Sequence, residues 1–364
     1  MAQQLNLLAE RIAQAYKIKT PLQIEGGGSK SFLGNKMNNG LSESIGCHDY
    51  AGVIDYRKDE LMIRLKAGTL LADVEKLLLD NGQRLPFEPP EFQGNATIGG
   101  VVAAGLSGPA RPYFGSVRDY VLGVSFIDGR GTAYEMGGQV MKNVAGYDVS
   151  RLMVGSLGEL GLICDVSFKV LPGDEVSATF VWPASAVEAV NDFQRYRRNG
   201  LPLTGSAWVS GIAYLRIGGS AQTVKVAAVR LSGDRIPSEE GEQFWRDLKN
   251  QKLDVFKGRG PLWRVSTEPG SAALLDNTQV VEWGGGIRWI SNPTFAPRLK
   301  TDPQTVTLFR RKSEDSPNET HDEASEAIRQ PFQQLSSSVA ELNRKLKKQF
   351  DPGLILNAGR LFEA

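Results

Sequence analysis

Apolar residues at Leu5, Leu8, Ile12 and Ala15–Tyr16 recur every third or fourth position and predict an amphipathic helix over Gln3–Tyr16. The period then shortens. Leu22–Glu25 reads as a brief strand that runs straight into Gly26-Gly27-Gly28. Gly52–Tyr56 and Leu61–Leu65 read as two strands joined by the turn Arg57-Lys58-Asp59. Leu71, Val74, Leu77 and Leu78 mark a second helix, with Thr69 as its expected N-cap and Gly82 as its terminating glycine. Tyr120–Ile127 and Thr132–Met136 are strands around the turn Asp128–Gly131, and Ile163–Leu171 is a further strand that Pro172-Gly173 closes.

After that turn the rhythm changes. Val176–Trp182, Ala207–Ser210, Ala213–Ile217 and Val224–Arg230 read as strands, and helices are expected near Ala184–Asn199 and Glu239–Gln251. Arg310–Ser325 is polar and highly charged, which predicts a mobile surface loop. Leu335, Val339, Leu342, Leu346 and Phe350 mark one face of a last helix, which stops before Pro352. The expected divisions are residues 1–173, 174–334 and 335–364.

Composition narrows the chemistry. The 364 residues include 42 basic and 41 acidic side chains, a net charge of +1, which argues against a nucleic-acid protein working by a strong positive field. Only His48, His321, Cys47 and Cys164 are available, so neither a four-cysteine zinc site nor a four-cysteine iron–sulfur cluster can be built within one chain. No apolar run approaches the roughly 20 residues of a membrane span, and the opening residues carry no secretory pattern. The expected setting is the reduced cytoplasm. Cys164, in an apolar strand, reads as a small core residue.

Glycine supplies 40 residues, concentrated in blocks before residue 173. The triple glycine leaves backbone N–H groups open to an anion, or is simply a flexible turn. Named phosphate loops do not match: Ser29, not glycine, stands directly before Lys30-Ser31, and Ser31 stands where the dinucleotide fingerprint needs glycine. A second block, Pro89 to Pro109, is dominated by small residues that would let backbone lie close to a large ligand. A third comprises Lys142–Asp148 and Gly155–Ile163.

Taken together, Gly26-Gly27-Gly28-Ser29 after a strand, Thr97-Ile98-Gly99-Gly100, the pair Arg118-Asp119 and Gly155–Gly161 resemble the FAD-binding domain of the vanillyl-alcohol oxidase, or PCMH, type. The resemblance implies an α+β chain: a PCMH-type FAD-binding domain of two α/β subdomains, a second α+β cap domain, and a C-terminal helix and tail returning to the flavin region. Within that family the chain is similar to the E-type, FAD-binding subunits of bacterial glycolate oxidases. That similarity rests on Leu85–Pro90, Leu106–Arg111, Val140–Asp148, Leu262-Trp-Arg264, Glu282–Gly285, Arg288-Trp289 and Phe350–Arg360.

By that resemblance, main-chain N–H groups hold the FAD pyrophosphate. Gly26, Gly27, Gly28, Ser29 and Lys30 form a first loop, and Thr97, Ile98, Gly99 and Gly100 with Ser107 and Gly108 a second. Glu159, Gly161 and Ile163 follow the AMP half, and Pro90, Arg118, Asp119 and Gly155 complete the implied set. Lys30 either adds charge near the phosphates or is a solvated surface lysine. No histidine or cysteine stands at Gly28-Ser29-Lys30, so non-covalent FAD is expected, with Cys47 and His48 as ordinary loop residues.

Oxidation of a 2-hydroxy acid needs a base, a cation for the carboxylate and the flavin as hydride acceptor. With two histidines the chain cannot build the histidine cluster of the related dehydrogenases. Arg264, Arg288 and Arg360 are the candidate carboxylate-binding or interface cations. The implied function is an FAD-binding subunit supporting oxidation of glycolate to glyoxylate, beside a sister FAD-binding catalytic subunit and an iron–sulfur subunit, with membrane association only through partners. The alternative is a free-standing FAD-dependent 2-hydroxyacid oxidoreductase with its own substrate pocket.

Overall fold

Two antiparallel sheets organise the chain, one from each half of the sequence. The computed structural model describes residues 2–35, 42–138, 148–258, 260–271, 278–291, 305–311, 331–333 and 335–361. The Val140–Tyr147 stretch, His321 and the charged run from residue 312 to 325 lie outside the described residues.

The N-terminal helix, Ala2–Ile18, buries Ile12 and Ala15. Strand Leu22–Glu25 pairs in parallel with Glu43–Gly46, and the C-terminal tail joins its edge through Leu22 N–H to Ile355 O at 2.7 Å. The first sheet has five strands in the order Val53–Arg57, Met62–Lys66, Leu162–Lys169, Val121–Ile127, Ala133–Gly137. Its central strands bury Ile63, Leu65, Val124, Val166 and Phe168 against Leu71, Val74 and Leu78 of helix Leu71–Leu79. Thr69 does not cap that helix. Its hydroxyl accepts from Gly52 N at 2.9 Å and donates to Lys66 O at 2.7 Å, so the residue closes a turn, and Leu70 takes the cap position without a side-chain bond.

The second sheet has eight strands, in the order Asp234–Arg235, Val176–Pro183, Ile212–Gly219, Leu203–Val209, Thr278–Glu282, Ile287–Ser291, Leu262–Ser266, Thr305–Arg310. Helix Ala186–Arg198 opens with a reciprocal Ser185–Glu188 cap and buries Ala189, Val190, Phe193 and Tyr196 on this sheet. The expected strand at Val224–Arg230 is instead part of a helix, Ala221–Ala228. Its β-branched valines suggested a strand, but Ser220 caps the Thr223 amide, and Val224 and Ala227 share the buried face. Val226 and Val229 stay outside, 53% and 84% exposed, which is helical and not two-residue periodicity. Arg310, expected to open a loop, ends the edge strand Thr305–Arg310.

A shared apolar seam joins the halves. Ala207, Leu262, Val280, Ile287, Trp289 and Phe309 of the large sheet pack with Leu33, Leu157, Phe92 and Leu106 from the first half. Polar ties cross it as well: Arg216 to Glu88 at 2.6 Å, Tyr113 to Ser206 at 2.7 Å, and Trp283 Nε1 to Gly108 O at 3.1 Å.

Candidate functional site

Where the parallel strand pair ends, the chain turns over a cleft of about 530 Å³. Its wall combines residues 23–32, Cys47, His48, Ala67, Gly68, Thr97, Gly99, Gly100, Ala103, Ala104 and residues 157–163 in part, with Arg310, Arg311 and Arg360. The triple glycine is not a slack turn. A Cβ on Gly27 would stand 1.5 Å from Asn95 O, and one on Gly26 would stand 2.6 Å from Thr97 Oγ1. The Asn95 side chain donates to the Gly27 carbonyl and locks the loop there. Gly28 has φ +73°, which favours glycine, and its carbonyl accepts from Ser31 N at 3.0 Å. The amides of residues 27–30 meet no acceptor among the described residues. Four consecutive donors without acceptors at a cleft wall suit an anion.

The second glycine block works differently from expectation. Thr97 N-caps the short helix Ile98–Ala104 by accepting from Gly100 N, while Ile98 N donates to Thr69 O at 2.9 Å and Gly99 N to Ala67 O at 2.8 Å. These amides are spent within the fold, so this segment contributes space and not donors. A Cβ on Gly99 would meet Ala67, whereas one on Gly100 would meet only Thr97 Oγ1 at 3.3 Å, leaving its remaining approach to the cleft.

Lys30 is buried in the cleft wall, not solvated. Its Nζ lies 3.2 Å from Ser29 Oγ and 5.6 Å above the Phe92 ring. Desolvation lowers its pKa to about 8, with Glu91 opposing and Lys249 assisting. Arg360 donates to the carbonyls of Lys30 and Leu33, and burial likewise lowers its pKa. His48 and Cys47, read as ordinary loop residues, both line the cleft; the Cys47 thiol donates to Ile163 O at 3.5 Å. Cys164 is buried in its strand, as expected.

Gly26 to Lys30, Thr97, Gly99, Gly100, Gly161, Ile163 and Arg360 are therefore brought together. The others lie elsewhere. The Ile98 side chain is in the core and Pro90 is buried away from the cleft wall. The Ser107 hydroxyl accepts from Val117 N, and Gly108 donates to Phe87 O while accepting from Trp283. Arg118 is exposed, and Asp119 caps Ser116. Gly155 N bonds Val102 O, and Glu159 holds the tail through Leu361 N at 2.8 Å. Arg288 is fully buried, donating to Gly285 O, Ser271 O and Thr267. Arg264 lies at the seam against Trp283. Phe32, Asn35, Arg310 and Arg311 were not foreseen, because they reach the wall only through long-range packing.

A model of the FAD binding domain matches residues 2–137. Over 357 residues the chain is 38% identical to glycolate oxidase subunit GlcE of Escherichia coli strain K12, covering 98% of this chain and 96% of that one. This chain belongs to the GlcE family of glycolate oxidase subunits. Shorter matches reach glycolate oxidase subunit GlcD of Bacillus subtilis, 30% identical over 35% of this chain and 27% of that one, and a D-lactate dehydrogenase of Anaerostipes hadrus, 28% identical over 44% and 34%. The solved structure of an alkyldihydroxyacetonephosphate synthase superposes with a TM-score of 0.68 at 15% identity, over 96% of this chain and 74% of that one, which shows the PCMH-type fold. The GlcE-family chain is thus an FAD-binding oxidoreductase, and the cleft with its row of free amides fits that cofactor. No helix among its described residues is long and apolar enough to cross a membrane.

Proposed function

We propose that this chain is the FAD-binding E-type subunit of a glycolate oxidase complex, acting beside a sister FAD-binding catalytic subunit and an iron–sulfur subunit. The observation that carries it is the near end-to-end similarity to the GlcE subunit, joined to a cleft whose loop leaves the amides of residues 27–30 free. FAD supplies a two-electron acceptor here. Residues 27–30 would hold the pyrophosphate by backbone N–H, Gly100 would admit it closely, and Lys30 with Arg360 would balance its charge. Two histidines and two cysteines supply neither a histidine cluster nor a four-cysteine iron–sulfur relay within the chain, which favours the reading in which partner subunits take the electrons.

Co-expression with the two partners should yield a co-purifying complex whose glycolate-dependent dye reduction exceeds that of the single chain by roughly a hundredfold or more. A single chain that turns over glycolate as fast as the complex would overturn this in favour of the free-standing oxidoreductase. Acid precipitation should release all flavin into the supernatant; flavin retained on the polypeptide would point to attachment at His48 or Cys47 in the wall.

Lys30 gives the FAD affinity a pH dependence of known sign. Below about 8 the free amine is protonated and affinity should be flat. Above it the proton must be taken up on binding an anion, so affinity falls as pH rises. Lys30→Met should bind FAD more weakly and with a flat profile from pH 6.5 to roughly 9.5, measured by flavin fluorescence quenching. An unchanged slope in that variant would remove Lys30 from the cofactor's anionic part.

A further inference from the structure

We propose that Arg111 and Arg264, both set against the Trp283 indole, form an anion subsite at the seam between the two sheets, built for a small carboxylate of the 2-hydroxy-acid class. The ligand class rests on the glycolate oxidase reading; the site itself rests on geometry. The two guanidinium carbons lie 4.3 Å and 5.0 Å from the Trp283 ring centroid. Among the described residues, neither guanidinium finds a hydrogen-bond acceptor or an ion-pair partner.

That is unlike the other arginines drawn into the fold. Arg64, Arg84 and Arg216 each meet a carboxylate, while Arg288, Arg310 and Arg360 each meet backbone carbonyls. The two carboxylates whose charge acts on the pair, Asp119 on Arg111 and Glu282 on Arg264, are already engaged. Glu282 accepts from Trp289 Nε1 at 2.6 Å, and Asp119 accepts from both Ser116 N and Oγ. Burial raises the Glu282 pKa to about 7, so near neutrality it offers Arg264 only part of a charge. Desolvation, then the like charge of Arg111, lowers the Arg264 pKa to about 10 against the pull of Glu282.

Holding the buried Arg264 guanidinium beside the like charge of Arg111, with no acceptor among the described residues, is unfavourable unless something anionic visits. A planar carboxylate offers the paired oxygens that a guanidinium fork accepts bidentately, and the indole gives an apolar wall for the rest of a small ligand. Placement favours the same ligand. Trp283 is tied to Gly108 O and packs in one cluster with Leu106 and with Ala104, and Ala104 lines the flavin cleft. Arg111 comes from the flavin-binding half and Arg264 from the large sheet, so a bound carboxylate would also bridge the halves.

The test uses the FAD-loaded full chain, titrated with glycolate, inorganic phosphate and ethylene glycol while tryptophan fluorescence and the flavin spectrum are followed. Glycolate should bind saturably, ethylene glycol should not, and phosphate should compete only weakly. Arg264→Met should weaken glycolate about tenfold or more and Arg111→Met several-fold, with flavin content unchanged. Thermal unfolding discriminates further: an arginine whose only contact of this kind is the Trp283 ring should lower the midpoint little when replaced by Met, whereas one holding carbonyls or a carboxylate would lower it much more. Glycolate bound equally well by wild type and both variants overturns the subsite, as does phosphate binding more tightly than glycolate. Because Arg111 is exposed, Arg111→Met keeps the test open should Arg264→Met fold poorly. A chain that loads FAD but binds no carboxylate sinks the subsite alone. A chain that binds glycolate through Arg264 yet takes up no FAD sinks the flavin-subunit reading alone.

Discussion

Gly27→Ala should give a folded chain that no longer retains FAD. The added methyl would stand 1.5 Å from Asn95 O and 2.7 Å from its carbonyl carbon, both backbone atoms that cannot rotate away. The loop must therefore move as a unit, and with it the free amides of residues 27–30. A shift of that kind breaks several hydrogen bonds to an anion at once, so affinity should fall at least about a hundredfold, ~3 kcal/mol. Gly28→Ala is the control. Nothing lies within 4 Å of a Cβ there, and only its φ of +73° opposes the change, costing about 1 kcal/mol. Quenching of flavin fluorescence on titration into the apo chain measures both, with circular dichroism to check folding. Wild-type affinity in Gly27→Ala would remove this loop from the cofactor site.

Lys347→Met should strongly destabilise the fold although it lies outside the cleft. The Lys347 ammonium is buried and makes three bonds: to Asp351 Oδ2 at 2.8 Å, and to the carbonyls of Glu159 and Leu356 at 2.6 Å each. Asp351, fully buried, also accepts from Leu356 N at 2.8 Å. Methionine fills much of the volume but leaves the carboxylate without its cation, at a cost of about 3–5 kcal/mol. Adding Asp351→Asn should recover part of that loss, since a neutral amide needs no counter-charge. Denaturant midpoints for the two single variants and the double variant check this; strictly additive losses would mean the pair is not coupled. The tail that Lys347 pins carries Arg360 into the cleft wall, so FAD retention should weaken in parallel.

Lys347 also shows where periodicity misleads. Leu335, Val339, Leu342, Leu346 and Phe350 draw one apolar stripe, yet Val339 and Leu342 are 44% and 65% exposed while Lys347 is buried. The helix itself, Ser337–Phe350, follows from local pattern. Which face it turns inward depends on a long-range bond to Glu159 that no local pattern contains. Val224–Arg230 misled in the opposite way: its valines favour a strand, and a capping serine together with a buried Val224–Ala227 pair made it helical.

By itself, the sequence determined the glycine loops and the family, because an unobstructed backbone near an anion needs glycine wherever the chain later lies. It determined the five strands of the first sheet too, since alternation on a half-buried sheet is a local property. In the second sheet it reached only Val176–Pro183, Leu203–Val209 and Ile212–Gly219, and missed Leu262–Ser266, Thr278–Glu282, Ile287–Ser291 and Thr305–Arg310. Tertiary structure alone decided which of those loops keeps its amides free. Gly99 and Gly100 look equivalent to Gly27 and Gly28 in sequence, but the Ala67 carbonyl and the Thr97 hydroxyl consume their N–H groups. It likewise decided that Arg288 is a buried strut while Arg264 meets no acceptor among the described residues, though each is an arginine next to a tryptophan in its strand. A donor's availability depends on which acceptors the fold brings to it from distant parts of the chain, and that is a property of packing, not of residue type.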